Sequence, residues 1–222
     1  MTSPRVPLVL LDLDGTLTDS APGITASIAD TYRALGLAVP SPTTLRSFVG
    51  PPITSSFPAH GVPPDRVTEA VRAYREVFVT RMITGNSVYE GIPQMLRELR
   101  SAGLRLAVAT SKPELYARPI CDAFGLSALV DGVFGAPLDE ATSTKAQVIE
   151  AALAANRDAG PVLMVGDREH DVLGARAHGI DTIGVTWGYA AAGELESAGA
   201  AELVDSPAEL TRTILRRLAA TA

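Results

Sequence analysis

Short aliphatic runs recur along the chain, at Val6 to Leu13, Leu104 to Ala109, Val162 to Val165 and Thr182 to Val185, and each gives way to polar residues or glycine. None alternates apolar with polar positions. Continuous runs of this kind are the pattern of parallel strands covered on both faces. Helical patterns lie between them. Pro93 to Arg100 opens with proline in the first turn and is followed by Gly103, the usual start and stop residues of a short helix. Ser143 reads as the N-cap of the helix TKAQVIEAALAA, and Ser206 with Glu209 as the capping box of the last helix. Pro119 falls inside another helical pattern and predicts a kink or a split there. Strands alternating with helices imply an α/β fold, a Rossmann-like parallel sheet flanked by helices with right-handed crossovers.

One segment breaks the rhythm. From about Ala21 to Thr84 no strand pattern occurs, while Val67, Ala70, Val71, Tyr74, Val77 and Phe78 recur at helical spacing and give one helix an apolar face. A crossover helix needs only about a dozen residues. The segment is therefore expected to be an all-α domain, residues 18–84, inserted after the first strand of a core made of residues 1–17 and 85–222.

Composition narrows the partners. With 222 residues, 46% hydrophobic and 20% charged, the chain suits one globular core carrying a smaller unit. A net charge of -6 argues against a protein that neutralises a phosphate backbone, so nucleic acid is not an expected partner. Cys121 is the single cysteine, which excludes an internal disulfide and a cysteine zinc cluster; it reads as a buried structural thiol and fits a reducing, cytoplasmic setting. The apolar stretch Val6 to Leu11 is too short for a signal-peptide core, and nothing reaches membrane-spanning length, so no membrane partner is expected. His170 and His178 are spaced too widely along a helix to share a ligand and are expected at the surface. No GxGxxG or GxxxxGK motif is present.

In open α/β sheets, ligands bind beyond the carboxyl ends of the strands. Chemistry-bearing residues gather at those ends. Asp12 and Asp14 close the first strand, Thr110, Ser111 and Lys112 follow the second, Asp167 and Asp171 follow VLMVG, and Lys145 opens a helix between them. Residues i and i+2 of extended chain point the same way. Two such charges about 4 Å apart repel by roughly 4 kcal/mol at an effective dielectric near 20. With Asp167 nearby, a divalent cation is the natural compensation, and an all-oxygen donor set suits Mg²⁺. Lys145 is unusual for a first-turn position, where a cation opposes the helix dipole, whereas Lys112 reads equally well as a solvated lysine after a strand. Gly15 permits an uncommon backbone turn that brings main-chain N–H groups toward an anion, and Thr16 stabilises that turn or meets the anion itself.

DLDGTLTDS, ATSKP, the lysine of STKAQ and VGDREHD, in this order, resemble the motifs of the haloacid dehalogenase superfamily of phosphohydrolases, closest to its phosphoglycolate phosphatase-like branch. The resemblance implies a Mg²⁺-dependent phosphatase acting on a small phosphomonoester, phosphoglycolate-like or a nucleoside monophosphate. It makes Asp12 the nucleophile that is phosphorylated and Asp14 the acid and base. Thr110 and Lys145 hold the phosphoryl group. Asp167 binds the metal with the Asp12 carboxylate and the Asp14 main-chain carbonyl, and Asp171 is a further ligand or a support. The helical insert is similar to the family's cap, with RSFVGPPITSS as its contact loop; Arg46, Gly50 and Pro51 are the candidate substrate contacts there, joined from the core by Ser111 and Lys112. A phosphosugar mutase of the β-phosphoglucomutase type is the alternative within the superfamily. A phosphoacceptor or binding module without turnover is the alternative outside it. Dehalogenation fits less well, because it has no use for the acid at Asp14.

Overall fold

Leu8–Leu11 forms strand β1 with every side chain fully buried. Val9 and Leu11 enter one apolar cluster and Leu8 and Leu10 another, on the opposite face. Side chains of a strand alternate between faces, so a strand sandwiched between two layers needs apolar residues at every position. The structure, a computed structural model, describes residues 5–138 and 144–219.

After β1 come a two-residue strand β2 (Thr18–Asp19), then helices α1 (Ala21–Ala34), α2 (Pro42–Arg46), α3 (Ile53–Ala59) and α4 (Val67–Arg81), then a second short strand β3 (Ser87–Val88). The core continues with α5 (Ile92–Ser101), β4 (Arg105–Pro113), α6 (Glu114–Ala123), β5 (Gly132–Ala136), α7 (Lys145–Ala155) and β6 (Val162–Gly166). It closes with α8 (Glu169–Arg176), β7 (Asp181–Val185), α9 (Glu194–Ala198), β8 (Glu202–Val204) and α10 (Pro207–Ala219). The six-stranded sheet has the order β5-β4-β1-β6-β7-β8, and every pairing in it is parallel. Chain order reverses beside β1, which leaves a crevice at the carboxyl ends of β1, β4 and β6.

The predicted elements need some correction. Thr110, Ser111 and Lys112 lie within β4 and not after it, where the pairing with β5 shifts register between Thr110 and Pro113. Helix α6 runs through Pro119 unsplit; the carbonyl released by the missing N–H belongs to Leu115, an exposed residue within reach of water. Ser143 lies outside the described residues, and Thr144 caps α7, accepting from the Gln147 N–H while the Gln147 side chain accepts from the Thr144 N–H at 2.8 Å. Ser206 accepts from the Glu209 N–H at 3.4 Å, but the Glu209 carboxylate reaches the Asp205 N–H at 3.0 Å, one residue earlier than a regular capping box.

In the insert, α4 buries Ala70, Val71, Tyr74 and Phe78, the centre of the predicted apolar face. These side chains, with Ile24, Ile28, Phe48 and Phe57, belong to the same apolar cluster as Val9 and Leu11 of β1, which also holds Leu13 and Leu17. Entry to and exit from the insert meet at a neck. There β2 pairs antiparallel with β3, and the Gly23 N–H donates to Gly85 O at 2.8 Å. A Cβ on Gly85 would overlap the Gly23 backbone, so the crossing requires two glycines.

Candidate active site

Asp12 follows β1 directly, its N–H held by Val165 O of β6 at 2.9 Å. The chain then turns back tightly: Gly15 has φ +86, and the N–H groups of Leu17 and Thr18 both return to Leu13 O. The positive φ favours glycine. Space also demands it, because a Cβ there would run into the Asp167 carboxylate. Gly15 and Thr16 thus form a seat for Asp167: the Thr16 hydroxyl donates to Asp167 Oδ1 at 3.2 Å, and neither residue lines the two cavities described below.

The buried charges converge. Lys145, at the start of α7, places Nζ 2.5 Å from Asp12 Oδ1 and 2.6 Å from Asp171 Oδ1. Lys112 is buried too, with Nζ 2.7 Å from Asp14 Oδ1 and 5.1 Å from the centre of the Phe78 ring. The solvated reading of Lys112 is therefore wrong: β4 bends at its irregular end and turns the side chain into the cleft. Each acid of the Asp12 and Asp14 pair has its own lysine.

Burial pushes the Asp12 carboxyl up to about 7, with Asp171 and more weakly Asp14 adding to the rise and Lys145 opposing it. Asp167 is raised well above the ordinary range by burial, then by Asp171 and Asp12. Burial acts to lower Lys145, but Asp12 and Asp171 outweigh it and keep the ammonium charged. Asp171, more than Asp14, is the acid that crowds Asp12.

Asp12, Asp167 and Asp171 each offer an oxygen, all within 4.8 Å of one another, and no other such group of three occurs among the described residues. Three crowded, buried carboxylates facing one lysine leave an excess of negative charge, and their oxygens are the hard donors that suit a divalent cation such as Mg²⁺. The site fits that ion. The Asp14 carboxylate is outside the group, and Asp171 is already engaged, by Lys145 and by the Arg168 N–H at 3.1 Å.

Asp12, Asp14, Thr110, Ser111, Lys112, Lys145, Asp171 and Gly50 all line one narrow inner cavity of about 20 Å³. The Thr110 hydroxyl oxygen accepts from the Lys112 N–H at 3.1 Å, which leaves its own hydrogen to donate. A larger cavity of about 150 Å³ adjoins this one between insert and core, sharing Asp14, Gly50, Ser111 and Lys112 and lined further by Pro51 and aromatic side chains of α4. Arg46 lines neither; its guanidinium lies 6.0 Å from the centre of the Tyr189 ring.

Several residues of this region escaped the sequence reading. Arg168 donates from Nη1 to Val49 O at 2.7 Å and from Nε to Glu194 Oε1 at 2.7 Å, tying the contact loop of the insert to the core. His170 is half-buried on the inner cavity, not at the surface as expected, because α8 begins at the cleft. His178 is half-buried as well, bonded to Ala146 O at 2.9 Å. The Tyr189 N–H donates to Asp167 Oδ2 at 2.7 Å, and its hydroxyl donates to Asp19 Oδ1 at 2.7 Å while accepting from the Ser20 N–H. Trp187 and Tyr189 follow a predicted strand, so the rule of carboxyl ends could have flagged them.

Comparison with known proteins agrees with this geometry. Residues 9–185 match the family described as haloacid dehalogenase-like hydrolases. The tyrosine-protein kinase PtkA of Mycobacterium tuberculosis is 45% identical over 82% of this chain, which spans only 62% of the length of that relative. A 5'-nucleotidase of Pseudomonas aeruginosa is 39% identical over 87% of this chain and 88% of its own, and a phosphoglycolate phosphatase of Caulobacter vibrioides is 30% identical over 82% and 79%. Among solved structures, a predicted phosphatase from Clostridium acetobutylicum superposes with a TM-score of 0.87 at 39% identity, covering 96% of this chain and 100% of that one.

Proposed function

This chain belongs to the haloacid dehalogenase-like hydrolases, and from that premise we propose that it is a phosphatase, cleaving a small phosphomonoester with the help of Mg²⁺ through a phosphorylated Asp12. One observation carries the reading: Asp12, Asp14, Thr110, Lys112 and Lys145, all buried, face a single narrow cavity, with Lys145 bonded to the would-be nucleophile. An anionic carboxylate approaches an anionic phosphate only where charge is offset in a site shielded from water.

In this reading an Asp12 oxygen attacks phosphorus as the ester P–O bond breaks, and Asp14 gives its proton to the leaving oxygen. Asp14 then takes a proton from water, which cleaves the acyl phosphate, restores Asp12 and releases orthophosphate. Thr110 donates to a phosphoryl oxygen, and Lys145 holds Asp12 and neutralises the transferring group. Asp12, Asp167 and the Asp14 main-chain carbonyl would hold Mg²⁺, with Asp171 as support, and the bound ion would draw negative charge off the phosphoryl oxygens. Gly50 and Pro51 would meet the substrate from a cap of residues 18–84, closing over a core of residues 1–17 and 85–222. Ser111 and Lys112 would meet it from the core. Arg46, away from both cavities, has no part in this reading.

The names of the relatives support nucleoside monophosphates and phosphoglycolate as substrates to try first. The single cysteine, Cys121, is fully buried, and no described helix is long and apolar enough to cross a membrane; both fit a cytoplasmic enzyme of small metabolites. Orthophosphate release from a panel of phosphomonoesters, with and without Mg²⁺, tests the proposal. Release should require Mg²⁺ and vanish in Asp12→Asn, while Asp14→Asn should form phosphoenzyme slowly from an activated ester only. Retention of phosphate on a product sugar would mark a mutase, and stable phosphorylation without release a phosphoacceptor. Wild-type rates from Asp12→Asn would refute the assignment of the nucleophile.

A further inference from the structure

Arg168 touches three parts of the molecule at once. It stands on the chain between Asp167 and helix α8, and its N–H donates to Asp171 Oδ2 at 3.1 Å. Its guanidinium reaches the insert, with Nη1 2.7 Å from Val49 O in the loop between α2 and α3. The same side chain lines the inner cavity beside Asp12, Asp14 and Lys145. Arg75 also bonds the insert to the core, through Leu138 O, but that contact borders the larger cavity alone.

The Arg168 side chain is braced in that direction. Nε donates to Glu194 Oε1 at 2.7 Å, and Glu194 is itself fixed by the Glu169 N–H at 3.0 Å and the Ala191 N–H at 2.9 Å. The two side chains are 16% and 12% exposed, so theirs is not a solvated surface pair of negligible worth. Gly50 completes the fit, with φ +105 and with room for a Cβ only 3.0 Å from Arg168 Nη1, so the guanidinium packs against main chain there. A planar guanidinium holds Glu194 and Val49 O from separate nitrogens of one rigid fork, whereas an ammonium presents its donors from a single point. A cation kept for phosphate would aim these donors into the cavity; here Nε and Nη1 are turned to a carboxylate and to a carbonyl of the insert.

We propose that Arg168 is a positioning residue, a latch that holds the contact loop of the insert, and with it Gly50 and Pro51, against the core while the active site is shut. The inference rests on the proposed reading of residues 18–84 as a cap. The latch has to release during each cycle. The inner cavity, about 20 Å³, has room for little more than a water, so a phosphoryl group fits only after its walls part, and Arg168 and Gly50 are two of those walls. Re-forming the bond to Val49 O then returns the loop to one fixed place over the bound ester, the step that a lid contributes to catalysis.

Three variants test the latch: Arg168→Met, Arg168→Lys, and Glu194→Ala, which leaves the guanidinium unbraced. Backbone hydrogen exchange read by mass spectrometry should be faster by about tenfold over residues 46–56 in all three, and within about twofold of wild type over α5 and α10. The kcat/KM for Mg²⁺-dependent phosphate release should fall about tenfold in Arg168→Met, and Arg168→Lys should not restore it. Full recovery in Arg168→Lys, with exchange over residues 46–56 unchanged, would mark a cation that serves the phosphate by charge alone and would overturn the latch. So would faster exchange spread evenly over the chain, the sign of a general loss of stability. Exchange is read apart from turnover. Absence of phosphate release from every ester defeats the phosphatase reading, whereas locally faster exchange still upholds the latch and unchanged exchange defeats it.

Discussion

Asp12 shows how much one side chain's surroundings decide. Its carboxyl, pushed up to about 7 by burial, Asp171 and Asp14, holds a proton more tightly in the folded chain than in the unfolded one. A raised carboxyl favours the folded state at acid pH, and that contribution is lost as pH climbs from the unfolded value through about 7. Asp167 acts in the same direction. The melting temperature of metal-stripped protein should therefore fall between about pH 4 and about pH 7. Mg²⁺ should reverse the fall, and Asp12→Asn should flatten it. Lys145→Met removes the cation shared by Asp12 and Asp171. It should cost about 3–5 kcal/mol in urea denaturation at neutral pH and lower kcat by at least about 100-fold. Both acids were legible because their position after strands is itself a chemical pattern, and Lys145 was legible chiefly through the resemblance of its motif to the family's. Tyr189 was not, since it serves Asp167 through a main-chain N–H that any residue carries, and Lys112 was left undecided because burial at an irregular strand end depends on tertiary packing.

Elements were legible in proportion to how strongly they repeat. Strands β1, β4, β6 and β7 show as aliphatic runs because both faces of the sheet are covered. β5, the sequence GVFGA at one edge, and β8, only Glu202–Val204 at the other, offer too few apolar positions, and the two residues each of β2 and β3 carry no period at all. Helix α7 matters beyond its own stability, since its first residue is Lys145. Thr144→Ala, which deletes half of the capping box, should cost about 1 kcal/mol. It should also reduce kcat more than KM by letting the first turn fray, which thermal melts and steady-state rates would show together.

Across the whole molecule, insert and core share one apolar cluster that includes Val9, Leu11, Leu17, Phe57 and Tyr74. Separate cores would melt separately; a common one should give a single calorimetric transition. Phe57→Ala, a change in a side chain that lines neither cavity, should lower that one transition by about 3–5 kcal/mol without splitting it. An all-helical insertion was readable from its length and from the apolar face of α4, but its merger with the core was not, because a helical period says which face is buried and nothing about what buries it. The crossing of Gly23 and Gly85 extends the point. Pulling the two ends of the insert apart would break the bond between those backbones, whereas rotation about it would not. If Gly50 and Pro51 meet a substrate as proposed, their distance from the core depends on a crossing made by two residues without side chains.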